Sequence, residues 1–245
     1  MKHTWSVYAI SACLGLAFGT ARAEFVGLNI GASQLAAAQQ GTSSGTGIDL
    51  VDDLDTESPG QSSMVLILEH PITALPNIKY QGLSLDLPRS NPSNLNRPDG
   101  TSNETRTSYD LSQDDIVLYY QLPGSHVNLD LGVDLKRFAG EVSTVGPIAN
   151  RIDVDETIPL LYLSARYDLS NSGFYIGANI NADIANLGIS KSTAQDSTFM
   201  LGYDSGSGLG VEGGYKSFSL NLDNVETLDS SLEYDGLYLN GYFNF

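Results

Sequence analysis

The sequence predicts an all-β fold, a transmembrane antiparallel up-and-down β-barrel of about ten strands, on three observations. The last nine residues alternate between an apolar face of Leu237, Leu239, Gly241, Phe243 and Phe245 and a second face of Tyr238, Asn240, Tyr242 and Asn244. Beyond the amino-terminal segment no apolar run reaches the ~18 residues of a spanning helix, so a membrane crossing would have to be a closed barrel that satisfies its own backbone. Finally, the connections between alternating segments are short and long in turn, the pattern of a barrel with short turns on one rim and long loops on the other.

At the amino-terminus, Lys2 and His3 precede an apolar stretch from Val7 to Phe18, followed by Ala21-Arg22-Ala23. Residues 1–23 read as a cleaved secretory signal. A lipoprotein-type cut before Cys13 is the rival reading, and it would leave a very short apolar region. Cleavage after Ala23 removes Cys13 and Trp5, so no disulfide is expected in the remaining domain, 24–245.

Period-2 alternation places strands near 25–36, 62–70, 78–88, 110–122, 126–138, 156–169, 173–186, 197–205, 208–222 and 232–245. The fifth is clearest: Val127, Leu129, Leu131, Val133 and Leu135 oppose Asn128, Asp130, Gly132, Asp134 and Lys136. In lipid the apolar set faces outward and the polar set lines the lumen. Short turns are expected at 70–77, 122–125, 169–172 and 205–208, with Gly124 and Gly173 supplying positive φ. Long loops are expected at 37–61, 89–109, 139–155, 187–196 and 223–231. In the ninth strand the apolar parity changes from Leu209, Val211 and Tyr215 to Phe218, Leu220 and Leu222, which a bulge near Lys216 or Ser217 would reconcile. Pro71, Pro76, Pro88 and Pro159 are expected near strand ends.

Leu68-Glu69-His70-Pro71 with Leu75-Pro76-Asn77, the run Pro159-Leu160-Leu161-Tyr162, the stretch from Gly208 to Tyr215 and the aromatic end resemble a family of Gram-negative outer-membrane β-barrel proteins of unknown function. The resemblance spans nearly all of 24–245 and implies fold and a cell outer membrane location, with no catalytic or binding residue attached. It also implies contact with the barrel-assembly machinery through the C-terminal strand, although Gly241 sits one residue later than in the usual assembly signal.

The formal charge is −17 and the pI near 4.2. That excludes nucleic acid as a partner, since phosphate binding needs clustered Lys and Arg. The polar parities put Asn29, Glu69, Ser84, Asp86, Asp115, Tyr119, Asn128, Asp130 and Asp134 in the lumen. Lys136, Tyr162, Arg166, Asn179, Asp183, Glu212, Lys216 and Asn240 complete the set. Lys136, Lys216 and Arg166 are each expected to meet a carboxylate, because an unpaired interior charge is costly. The lumen then reads as a hydrogen-bonded filling, or alternatively as a narrow cation-preferring passage.

Asp49, Asp52, Asp53, Asp55 and Glu57 crowd the first long loop but lack the spacing of a calcium loop. Divalent cations bridging such loops to lipopolysaccharide phosphates are a candidate partnership, together with the membrane lipid itself. Tyr80, Tyr109, Tyr119, Tyr120, Tyr167, Tyr203 and Tyr242 read as an interfacial girdle. His70 and His126 both fall on the short-turn rim, where a turn-capping role outweighs metal binding or hydrolysis of an external substrate. No cofactor and no catalysis are expected, with a membrane-embedded hydrolase as the trailing alternative. The preferred reading is a structural or surface-interaction barrel.

Overall fold

In the computed structural model, residues 27–45, 48–50, 61–72, 74–87, 93–96, 102–122, 127–145, 150–169, 172–184, 190–225 and 228–245 are described. They form β1 (Gly27–Gly45), β2 (Ile48–Leu50), β3 (Gln61–Glu69), β4 (Asn77–Leu87), β5 (Ser93–Asn96) and β6 (Ser102–Leu122). The chain continues through β7 (Val127–Val145), β8 (Asn150–Asp168), β9 (Phe174–Asp183), β10 (Thr193–Asp204), β11 (Leu209–Val225) and β12 (Leu228–Asn244). Ten strands make the wall, each antiparallel to its sequence neighbour in it. Short β2 and β5 extend β1 and β6. The β1–β12 ladder, from Asn29↔Asn244 to Gly45↔Leu228, closes the cylinder.

The short turns follow from local chemistry. Gly173 and Gly208 take φ of 78° and 91°, the left-handed region that side chains with a Cβ avoid. Ile72 N–H donates to His70 Nδ1, so the proton sits on Nε2 and bonds Pro76 O at 3.1 Å. His70 therefore fixes the β3–β4 turn.

Several strands run well past the alternation that announces them. The segments 139–155 and 223–231, expected as loops, are largely strand, because β7 continues to Val145, β8 begins at Asn150 and β12 begins at Leu228. Pro159 accordingly lies inside β8. It pairs with Leu135 on one side, while the ladder to β9 begins only at Leu160, so the missing N–H is tolerated.

The reason for this extra length is a reversal of polarity along the barrel. Toward the end that carries the termini, the outer face is hydrocarbon: Leu129, Leu131, Val133 and Leu135 on β7, Leu161 and Leu163 on β8, Leu237 and Leu239 on β12. From Val127 to Leu135 this stripe is nine residues long, the length a tilted strand needs to cross the ~25 Å apolar band of a membrane. One step farther, the outward residues become Asp114, Arg137, Thr157, Ser197, Ser217 and Asp235. The last apolar residues are ladder partners, Ile116↔Leu135↔Pro159 and Phe199↔Tyr215↔Leu237. A continuous boundary thus circles much of the wall.

Beyond it the interior becomes the oily side. Leu83, Leu111, Phe138, Ile158, Leu160, Phe218, Leu220, Leu222, Leu232 and Tyr234 pack into one buried cluster inside the cylinder. Phe218 stacks on Tyr234 at 4.6 Å between centroids and lies 6.0 Å from Phe138. The change of apolar parity in β11 is this reversal and not a bulge: pairing with β10 and β12 is continuous through Lys216 and Ser217, and the register shifts only between Leu222 and Val225.

Candidate functional site

Below the oily cluster the lumen holds a cavity of about 490 Å³. Leu28, Asn29, Asn244 and Phe245 line it at the end carrying the termini, and Leu83, Asp196 and Lys216 line its inner limit. The interior polar groups fall into three storeys, each built by inward positions of neighbouring strands.

At the mouth, Arg166 Nε donates to Asp168 at 2.8 Å and Nη2 to Asp204 at 2.5 Å. Its guanidinium lies 3.7 Å above the Tyr175 ring. Tyr242 also donates to Asp204, and its hydroxyl oxygen lies 2.9 Å from that of Tyr175. These rings fit because the strands opposite carry glycine: a Cβ on Gly210 would stand 2.1 Å from the Tyr242 ring, and one on Gly202 2.1 Å from that of Tyr175.

In the middle storey each carboxylate is held by neutral donors. Tyr119 donates to Glu69 at 2.9 Å, Tyr175 to Glu212 at 2.7 Å and Asn240 Nδ2 to Glu212 at 3.1 Å, and Ser164 bonds Asp130. Tyr119 and Tyr162 pack with centroids 5.8 Å apart, and Lys79 lies 5.4 Å from the Tyr162 centroid.

The innermost storey is centred on Lys136, which has no accessible surface. Its ammonium lies 2.7 Å from Asp115, 2.9 Å from Asp196 and 3.6 Å from Asp134. Gln113 Nε2 donates to both oxygens of Asp115, and Asn181 Nδ2 to both of Asp196. Among the described residues, these three aspartates alone bring carboxylate oxygens close enough, within 4.8 Å, to share a metal ion. The lysine ammonium already occupies the place of that ion and supplies the same charge compensation.

Of the residues singled out in the sequence, Asp115, Asp134 and Lys136 meet in this innermost cluster, while Asp130, Arg166 and Glu212 line the cavity. Asp183 is different: it is the last residue of β9, paired with Leu160 of β8 but past the end of the β9–β10 ladder at Asn181, and it is exposed. Ser84 is also exposed, and Asp86, on the same parity, pairs with Asp110; the Asp86 side chain lies outside the described residues. Leu83, Leu85 and Leu87 set this parity in the sequence, but Leu83 lies inside the barrel in the buried cluster, so the inward positions are Lys79, Gln81 and Leu83. Lys216 lines the cavity without an ion pair among the described residues, in contrast to Lys136 and Arg166.

Asp196 and Lys79 escaped the sequence reading. Asp196 precedes the apolar alternation of β10, and only the parity of Thr198 and Met200 carried backward would have found it; Lys79 was hidden by the reversed half of its own strand. Tyr119 and Tyr242 are inside the barrel, whereas Tyr120, Tyr167 and Tyr203 are exposed near the short-turn rim. Asp52, Asp53, Asp55, Glu57 and His126 lie outside the described residues, as does the side chain of Asp49 in β2.

On the outer face just past the apolar belt, Arg137 Nε and Nη2 clamp Asp155 at 2.8 and 3.0 Å. This hydrogen bonding, joined by the charge of the guanidinium, holds the Asp155 carboxyl below its ordinary value.

A closed antiparallel ladder, a hydrocarbon outer belt and a polar interior at the same height leave one environment for the lower half. The chain is an outer-membrane-type β-barrel. No protein-family model and no curated protein matches it. Among solved structures it is similar to the outer membrane protease OmpT of Escherichia coli, with 11% identity over 91% of this chain and 97% of that one and a TM-score of 0.46. The translocator domain of the autotransporter NalP from Neisseria meningitidis is similar at 11% identity, 96% and 93% coverage and a TM-score of 0.38. The P. putida toluene transporter TodX gives 10%, 91% and 90%, and 0.35.

Proposed function

We infer that this outer-membrane barrel is sealed and non-catalytic, and that it acts through the wall and loops standing beyond the lipid, as a structural or surface-interaction protein. The observation that carries the reading is the buried cluster around Phe138, Phe218 and Tyr234, which fills the cylinder past the Lys136 storey. Hydrocarbon packed across the cylinder in this way opposes a continuous water path. The outer wall past the belt is polar and mostly acidic, with Asp114, Asp153, Asp155, Glu233 and Asp235 set against Arg137 and Arg151. Its chemistry suits divalent cations bridging to lipopolysaccharide phosphates. His70, engaged by Ile72 and Pro76, is used for a turn.

A second reading, a narrow cation-preferring passage, is favoured by the excess of carboxylates lining the cavity, and it requires the oily cluster to move aside. Planar-bilayer recording separates the two. The sealed barrel gives no current steps, whereas the combined Phe138→Ala, Phe218→Ala and Tyr234→Ala change opens a path. Steady cation current through the unaltered protein would overturn the inference.

A further inference from the structure

We propose that the lumen cavity is a binding site for a small organic ammonium ion, of the di- or triamine class, entering from the end that carries the termini. The charges of the three storeys differ. In the innermost one, Asp115, Asp134 and Asp196 surround Lys136, and Lys79 and Lys216 of the cavity lining add electrostatic interactions with Asp115 and Asp196. At the mouth, Arg166 is shared by Asp168 and Asp204. Between them Glu69, Asp130 and Glu212 line the cavity, and among the described residues none of the three has an ion pair. Their hydrogen-bond donors are tyrosine, serine and asparagine, and Lys79 reaches Asp130 electrostatically. This leaves Glu69 and Glu212 without a cation partner among the described residues, so the enclosed space keeps an excess of negative charge.

A second observation points the same way. Asn240 lines the cavity at 9% exposure, and because its amide nitrogen is committed to Glu212, its oxygen is left as an acceptor without a partner. One oxygen of Asp130 is likewise unpartnered. The site therefore calls for a donor carrying positive charge. Tyrosine rings favour an organic cation over a metal: Arg166 and Lys79 already sit over the faces of Tyr175 and Tyr162. Glu69, Asp130 and Glu212 come from three separate strands and do not gather oxygens as a metal demands. The volume, about 490 Å³, lies within the range of small-molecule sites.

Calorimetric titration of the refolded full chain with spermidine, at about 150 mM salt to suppress loose surface attraction, tests this. Saturable binding is expected, weakened roughly tenfold or more by Glu212→Gln and by Asp130→Asn, as for loss of a hydrogen bond to a charged group. Magnesium should not compete. In a Cys13→Ser chain, a bulky thiol label on Asn29→Cys at the mouth should abolish binding even if the lumen variants fail to fold. Absence of saturable binding, equal affinity in both lumen variants, displacement by magnesium or indifference to the mouth label would each overturn the site. None of these results bears on whether the barrel conducts.

Discussion

Lys136 and Phe138 are two residues apart on β7, both point into the barrel with no accessible surface, and between them the interior changes from charge to hydrocarbon. On the outer face the opposite change takes place between Leu135 and Arg137. One step of one strand thus marks the upper edge of the lipid on both sides of the wall.

Replacing Lys136 by Met leaves three buried aspartates facing one another. The expected cost is about 3–5 kcal/mol, the range for removing one partner of a buried ion pair. Adding Asp115→Asn and Asp196→Asn should recover much of it, since neutral amides need no countercharge. Urea unfolding in detergent, followed by heat-modified gel mobility, measures both. Equal stability of the single variant and the unaltered protein would contradict the central role of this ammonium.

Phe138→Ala and Phe218→Ala should each cost about 3–5 kcal/mol, as large-to-small changes in a packed core do. Phenylalanines of a water-filled vestibule would cost far less. The same unfolding measurement decides, and a loss below about 1 kcal/mol would mean that the far half is not a packed core.

Polarity reversal predicts opposite tolerances at neighbouring heights. Leu131→Arg places a charge against lipid and should cost about 2–4 kcal/mol. Thr157→Arg, on the outward face past the belt, should change stability by no more than about 0.5 kcal/mol. Ile158→Arg, one residue on but inside, should prevent folding by burying an unpaired charge. Equal tolerance of Leu131→Arg and Thr157→Arg would remove the boundary.

The Arg137–Asp155 clamp makes a pH prediction. Arg137 lowers the folded-state value of the Asp155 carboxyl, so its contribution is fully present above the ordinary Asp range and is lost as pH falls through the depressed value. Carboxyl NMR titration should give Asp155 a midpoint below the ordinary Asp value of 3.8, returning to it in Arg137→Gln. A midpoint unchanged by that substitution would show that the pair is not formed in solution.

The lipid-facing half was legible in the sequence because each strand there alternates with one parity. Val127 to Leu135 gave both the outward stripe and the inward Asp130, Asp134 and Lys136. Past the boundary the same rule misled. Leu83, Leu85 and Leu87 read as outward, which put Ser84 and Asp86 inside and hid Lys79, and the change at Phe218 in β11 read as a bulge. Apolar periodicity reports which face meets hydrocarbon; it does not say whether that hydrocarbon is lipid or the protein's own interior. Cross-strand register, which aligns Ile116, Leu135 and Pro159, carries the missing information and is set by pairing between distant segments.

The β1–β12 seam joins residues near the two ends of the described chain, so its closure carries the loop entropy of almost the whole polypeptide. Phe138, Phe218 and Tyr234 cannot be shielded from water until that seam zips. Dehydration of the far core and completion of the ring are therefore a single cooperative event, and an open sheet of this sequence would expose oily residues on both faces, at different heights, until the last ladder forms.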